Sequence, residues 1–265
     1  MTTNQTTSHT TTDLVTTEVH DGVMVITINR PESRNAINYA CAEQMAHAFD
    51  RLDADPSLRI GVLTGAGKGF SAGMDLKDFA KSRIRPRIGN RGFAGLTEQP
   101  PAKPLIAAVE GFALAGGFEM VLACDMVVAA KDAKFGLPEV KRGLVPGSGG
   151  MLRLPRRLPH PIAMEMILTG DPFLAERAYQ FGLVNELTEP GEALTGALAL
   201  AARISVNGPL AVRAAKQIIN TALDWPQDEM FARQAPMMQH IFESEDAREG
   251  SLAFAEKRKP NWQGK

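Results

Sequence analysis

Cysteine is almost absent from this chain of 265 residues: Cys41 and Cys124 are the two it has, far apart and outside any Cys-x-x-Cys pair. That excludes a disulfide framework and a cysteine-ligated zinc site, and leaves two small apolar residues suited to burial. His9, His20, His47, His160 and His240 form no i, i+4 pair, so a zincin-type centre has no support and no metal is expected. Aromatics are few, with 2 Trp and 2 Tyr, and the formal net charge is -1. Both facts disfavour a nucleic-acid partner, which needs stacking surfaces and a basic face. A long apolar run is also missing, because Leu105 to Ala130 is broken by Glu110, Glu119 and Asp125, so no membrane span is expected. Residues 1–12 are rich in Thr, with neither a basic start nor an apolar core. They read as a disordered tail rather than a targeting signal, and the cytoplasm is the expected location.

What is present is ordinary for a soluble domain: 44% hydrophobic and 22% charged residues. The length is near the upper limit for one core, so one domain with an appendage is expected. Leu14 to Val19 and Val23 to Ile28, joined by Asp21-Gly22, read as a β-hairpin whose second strand is apolar on both faces. Asn38 can cap a helix running to about Ala54, with Ala42, Met45, Phe49 and Leu52 along one face. Ile60 to Thr64, Leu105 to Val109 and Met126 to Ala130 read as buried strands, the pattern of an α/β core.

Between the first two of these strands lies Gly65-Ala-Gly-Lys-Gly69, which fails as a nucleotide loop. A P-loop needs Ser or Thr directly after Gly-Lys, where Gly69 stands, and a dinucleotide fingerprint needs a different glycine spacing. Asp78 to Lys103 carries Arg83, Arg85, Arg87 and Arg91 among glycines and prolines. It reads as a mobile surface segment; the sharper alternative is a lid or wall for an anionic ligand. After Pro146 the chain turns helical: Gly150 to Leu158, Ile162 to Thr169 and Ala175 to Phe181, then a short strand, Leu183 to Leu187. Four more helices follow, Glu192 to Ser205, Leu210 to Leu223, Asp228 to His240 and Ala247 to Lys257. The division expected is a core over 13–205 and a helical region over 206–265.

The chemistry-bearing candidates are carboxylates and glycine turns. Glu119 sits in an apolar run, where an ionised carboxylate is costly unless paired, protonated or used. Gly116-Gly117 just before it opens a helix, which concentrates free N–H groups and the positive end of the helix dipole. Glu139, after Leu-Pro, reads by itself as a surface or capping residue; with Glu119 it can also face a shared pocket. Ser148 lacks the leading glycine of a nucleophile elbow, so a helix cap is the better reading.

In order and spacing, Phe70-Ser-Ala-Gly-Met-Asp-Leu76, Ala115-Gly-Gly-Phe-Glu119, Cys124-Asp125 and Phe135-Gly-Leu-Pro-Glu139 with Gly143-Leu-Val-Pro-Gly147 form a recognisable set. Leu168-Thr-Gly170, Gly182-Leu-Val-Asn185 and Phe254-Ala-Glu-Lys-Arg258 extend it. The chain from about Asp13 onward resembles the crotonase (enoyl-CoA hydratase/isomerase) superfamily. That resemblance implies a spiral of ββα turns making two sheets, a C-terminal helical trimerisation region, and a homotrimer or a hexamer built as a dimer of trimers. It implies an acyl-CoA thioester substrate, coenzyme A being part of the substrate rather than a separate cofactor. Carried over by position, the backbone N–H groups of Met74 and Gly116 make an oxyanion hole, and Glu119 and Glu139 match the two catalytic acids of the hydratases. Ala72, Asp75, Leu76 and Lys77 would line the coenzyme A channel, with Lys257 reaching the nucleotide from the tail. Met74 stands where a small residue is usual, and Ala115 where glycine is frequent.

The reaction implied is reversible hydration of a 2-enoyl-CoA. Ser148 to Pro155 and Ser244 to Gly250 also resemble the carnitinyl-CoA dehydratase branch, and an isomerase is a further possibility within the family. A crotonase-fold protein that binds acyl-CoA or RNA without chemistry is the reading from another class. Retention of both glutamates speaks against it.

Overall fold

A computed structural model describes residues 13–265; the tail expected over 1–12 lies outside the described residues. The hairpin forms as the alternation predicts. β1 (Val15–His20) and β2 (Val23–Ile28) pair antiparallel, with Val15 opposite Ile28 and His20 opposite Val23. Asp21 and Gly22 both take positive φ, 49° and 78°, which matches the turn to the strand twist. Asn38 caps α1 (Tyr39–Ala54), its side-chain oxygen accepting the Cys41 N–H at 3.0 Å.

Next come β3 (Ile60–Gly65), α2 (Leu76–Ser82), β4 (Arg87–Ile88), β5 (Gly92–Phe93), β6 (Leu105–Val109), β7 (Phe112–Leu114) and α3 (Gly116–Ala123). They are followed by β8 (Met126–Ala130), β9 (Lys134–Gly136), a 3-10 turn (Pro138–Arg142), α4 (Gly150–Arg157) and α5 (His160–Thr169). β10 (Phe173–Leu174), α6 (Ala175–Gln180), β11 (Glu186–Thr188) and α7 (Ala193–Ser205) complete the core. The large sheet runs β1-β2-β3-β6-β8-β11 and the small one β10-β9-β7.

The spiral follows from this assignment. In each turn the first strand, β6 or β8, joins the large sheet, the second, β7 or β9, joins the small sheet, and a helical segment closes the turn. Period-two alternation sorts the side chains of the large sheet. Leu63, Leu105, Ala107 and Val109 face the main core with α1 and α3. Ile60, Val62, Ile106 and Ala108 face a second core against Ala197, Leu200 and Ala201 of α7. Cys41 and Cys124 are buried, and burial pushes both thiols up to about 12, so they are inert packing residues.

Within the segment from Asp78 to Lys103, Ala80 to Arg85 is exposed as expected, but the second half departs from expectation. Phe93, Ala94 and Leu96 are buried in the main core, and Arg91 pairs with Asp50 at 2.6 Å. Its turns at Gly92, Ala94 and Gly95 have φ of 72°, 56° and 63°. Such a compact knot buries side chains without any helical or strand period, so a periodicity search reads it as surface.

The C-terminal region comprises α8 (Pro209–Ala222), α9 (Met230–Phe242) and α10 (Glu245–Ala255). Lys216 ties α8 to the core, its Nζ donating to the Pro101 and Lys103 carbonyls and to Asp125, at 2.8, 2.9 and 2.7 Å. Phe231 and Phe254 stay 85% and 88% exposed. Among the described residues no helix is long and apolar enough to cross a membrane.

Candidate active site

Two backbone amides converge where the small sheet meets α3. Gly116 is the first residue of α3, so its N–H has no partner within the helix. Met74 lies opposite Ile37 in an isolated parallel bridge. That bridge uses the Gly73 carbonyl, which accepts from the Ile37 N–H at 2.8 Å, and the Asp75 N–H, which donates to the Ile37 carbonyl at 2.9 Å. Among the described residues the Met74 N–H has no partner. Gly73, with φ of 90°, sits so close to the helix start that a Cβ on it would lie 2.8 Å from the Gly116 nitrogen.

Buried polar side chains hold these loops together. Ser71 Oγ donates to the Asn35 carbonyl at 2.7 Å and accepts the Gly73 N–H at 3.1 Å. Asn35 Nδ2 donates to the Ala66 and Gly69 carbonyls at 2.8 and 2.7 Å, and its Oδ1 accepts the Arg30 N–H at 3.0 Å. Phe93, from the knot described above, packs its ring on Gly116, 2.7 Å from where a Cβ would stand.

Glu119 is in the first turn of α3 and only 3% exposed. Its Oε1 accepts N–H bonds from Ser148 at 2.6 Å and Gly150 at 2.9 Å, the second being the start of α4. Burial pushes its carboxyl up, while these amides, the Ser148 side chain and, least of all, the charge of Arg153 offset part of that rise. Glu139, in the 3-10 turn, has a buried Oε2 with no hydrogen-bond partner among the described residues. Burial first, and then repulsion from Glu119, push Glu139 up to about 7. The pair is therefore unequal. Both carboxyls are raised by burial, but Glu119 has two amides to offset it and Glu139 Oε2 has no such partner, so Glu139 is the readier of the two to keep a proton.

Both carboxyls, with Met74 and Gly116, line one cavity of about 450 Å³. Arg34, Arg85, Arg87 and Arg142 also line it; the Arg34 guanidinium lies over the Phe112 ring at 5.0 Å and that of Arg87 pairs with Glu98 at 2.6 Å. Preorganised amides beside an unequal acid pair suit a reaction that builds negative charge on a carbonyl oxygen while moving protons.

The enoyl-CoA hydratase/isomerase family matches residues 18–265. The chain belongs to that family. A carnitinyl-CoA dehydratase of Salmonella arizonae is 45% identical over 249 residues, spanning 91% of this chain and 95% of that protein. The solved enoyl-CoA hydratase of Mycobacterium tuberculosis H37Rv is 54% identical with a TM-score of 0.93, covering 96% of this chain and all of that one. An enoyl-CoA hydratase structure from Mycobacterium marinum is 56% identical at a TM-score of 0.94, with the same coverage. The fold is the crotonase fold, and with hydratases and dehydratases as relatives the chain is an enzyme of the hydro-lyase class.

Of the family positions named from the sequence, the structure brings Ala72, Met74, Leu76, Gly116, Glu119 and Glu139 to this cavity. Asp75 is not on its wall. The Asp75 carboxylate caps α2 through the Asp78 N–H at 3.0 Å and pairs with Arg30 at 2.9 Å, so it shapes the loop. Lys77 and Lys257 are exposed and are not part of the lining. Ser148 does not cap α4 with its side chain; Gly149 is the cap residue, and the Ser148 backbone N–H binds Glu119 instead. Sequence reasoning missed that anchor because backbone donors leave no residue-type signal. It also missed Arg34, Arg142 and Phe93, whereas the arginine cluster at Arg85 and Arg87 carried the hint of a wall for an anion. Among the described residues no cluster of His, Cys, Asp and Glu could hold a metal ion.

Proposed function

We propose that this enzyme adds water reversibly across the double bond of a 2-enoyl-CoA thioester. The observation that carries the reading is the placing of two unspent amides and two unequal carboxyls on one cavity. In this mechanism the thioester oxygen accepts hydrogen bonds from the Met74 and Gly116 N–H groups, which stabilise the enolate as it forms. Losing one such donor typically costs about 10²–10³ in rate. Ionised Glu119 takes a proton from the attacking water as oxygen bonds to Cβ. Protonated Glu139 delivers its proton to Cα, giving a syn-type addition, and the reverse steps give dehydration. Ala72 and Leu76 would flank the pantetheine arm, and Lys77 and Lys257 would reach the nucleotide of coenzyme A. No cofactor beyond the coenzyme A of the substrate is needed for these steps.

A second reading, dehydration of carnitinyl-CoA, is favoured by the name of the 45% identical relative. It uses the same four groups and differs only in a quaternary ammonium on the acyl chain. Among the described residues the cavity wall carries four arginines and, besides Glu119 and Glu139, no carboxylate for that cation. The two readings separate in one assay, with crotonyl-CoA, a longer enoyl-CoA and crotonobetainyl-CoA as substrates and loss of the conjugated-thioester absorbance as signal. Turnover of crotonyl-CoA supports the first reading, and a marked preference for crotonobetainyl-CoA supports the second. No turnover of any of the three sinks both and favours a binding protein.

Assembly as a homotrimer or hexamer is part of the same proposal. It is supported by the exposed Leu223, Phe231 and Phe254 on and beside α8–α10, apolar area that a neighbouring subunit would cover. Light scattering on the purified protein tests it, and a monomer would refute it.

A further inference from the structure

Arg153 projects from α4 beside the turn that holds Glu119. The Nη1 tip of its guanidinium lies against that turn: a Cβ on Gly149 would stand 2.2 Å from Nη1 and 3.4 Å from Cζ. Gly149 stands between Ser148 and Gly150, the two residues whose N–H groups bind Glu119 Oε1. The other arm, Nη2, donates to the Thr97 carbonyl at 2.6 Å. The Thr97 hydroxyl is itself buried without a partner, so the carbonyl is that residue's link to α4. Thr97 ends the knot whose Phe93 backs Gly116.

Arg153 makes no ion pair with any described carboxylate, unlike its neighbour Arg156, which pairs with Asp224 at 2.9 Å. The charged groups around the Glu119 carboxyl are Arg153 from α4 and Glu139 from the 3-10 turn; β7, packed on the same helix, brings none. Arg156 and Arg157 add further positive charge to α4.

We propose that Arg153 is a positioning residue of the hydration reaction: it clamps the Gly149 turn that holds Glu119 to the knot that backs Gly116, and sets a positive charge behind the working carboxylate. The proposal rests on the role given to Glu119 above. One side chain thereby couples the two halves of the site, the base and the oxyanion glycine. Removal of the charge should make Glu119 easier to protonate, because Arg153 favours its ionised form.

The test compares Arg153→Gln, Arg153→Lys and the surface control Arg156→Gln. The Glu119 carboxyl is titrated by NMR in protein carrying ¹³C-labelled glutamate, with its signal assigned through Glu119→Gln. Crotonyl-CoA kinetics are measured against pH in parallel. In Arg153→Gln the Glu119 titration and the acidic limb of kcat should both move to higher pH. Its kcat should fall about 10–100-fold with KM changed only a few-fold, and Arg153→Lys should restore the limb. An unmoved Glu119 titration in Arg153→Gln overturns the proposal, as does a loss of kcat that merely follows a fall in Tm. Should Arg153→Gln fail to fold, a wild-type limb in Arg153→Lys supports the charge role and a displaced one overturns it. If the wild type hydrates no enoyl-CoA the functional reading fails, while the NMR titration still decides whether Arg153 governs Glu119.

Discussion

Gly73 turns the bare side of its Cα toward the backbone nitrogen of Gly116, and a Cβ there would lie 2.8 Å from that nitrogen. The contact sets the spacing of the two amides, since Met74 follows Gly73 directly in the chain. Gly73 also holds φ at 90°, a conformation that side chains resist. Gly73→Ala should therefore pry the amides apart. We expect kcat for enoyl-CoA hydration to fall about 10²–10³-fold, the cost of one misplaced oxyanion donor, with stability lower by about 1–3 kcal/mol. Steady-state kinetics and thermal unfolding check both; near-normal turnover would refute the assigned hole.

Glu119→Gln and Glu139→Gln should each remove most hydration, by about 10²–10⁴-fold, for different reasons. The first removes the base while keeping an oxygen able to accept from Ser148 and Gly150. The second removes the proton donor. Binding of saturated butyryl-CoA, measured by calorimetry, should survive in both. Substantial turnover in either variant would end the two-acid mechanism.

Glu139 also links stability to pH. Its carboxyl is raised from 4.5 to about 7 in the folded chain, so between those values the folded state keeps a proton that the unfolded state releases. Stability then falls as pH rises through that window, and the full penalty stands above it. Glu139→Gln removes the penalty. Allowing for solvent that reaches this half-buried group, the variant should gain on the order of 1–2 kcal/mol at pH 8 and nothing at pH 4. A Tm difference that does not shrink on acidification would contradict this. In the wild type, kcat/KM should decline on the alkaline side as Glu139 loses its proton.

Asn35 is the central tie beneath the amide loop, buried and bonded to Arg30, Ala66, Gly69 and Ser71. Asn35→Ala strands two carbonyls and one amide in the core. At about 1–3 kcal/mol for each unsatisfied group, relieved in part by relaxation, we expect a loss of about 2–4 kcal/mol. Because Ser71 and Gly73 hang from the same network, kcat should drop along with denaturant midpoint. An unchanged midpoint would show that the network contributes little.

Much of this protein is legible in its sequence. The hairpin, the Asn38 cap, the buried strands of the large sheet and the C-terminal helices follow from local rules of periodicity, capping and turn chemistry, and each forms within a few residues of its expected place. Glu119 drew attention because a carboxylate in an apolar run needs a reason, and its apolar neighbours do bury it. Glu139 was different. By itself it resembled a surface or capping residue, and only the motif set raised it to a second acid.

Tertiary structure decided the rest, because the deciding contacts join distant residues through groups that every residue carries. The Ser148 and Gly150 amides that hold Glu119 are backbone atoms 29 and 31 positions away, invisible to any search by residue type. The short strands of the small sheet, two or three residues each, are below the length at which alternation can be read. The knot around Phe93 buries its side chains through consecutive positive-φ turns, where periodicity has no meaning. The sequence by itself pointed to Glu119 and the Gly116-Gly117 turn, and the fold puts Glu119 and Gly116 on one cavity. Only the fold decided that the two carboxyls are unequal, since that depends on which of them the folded backbone happens to solvate.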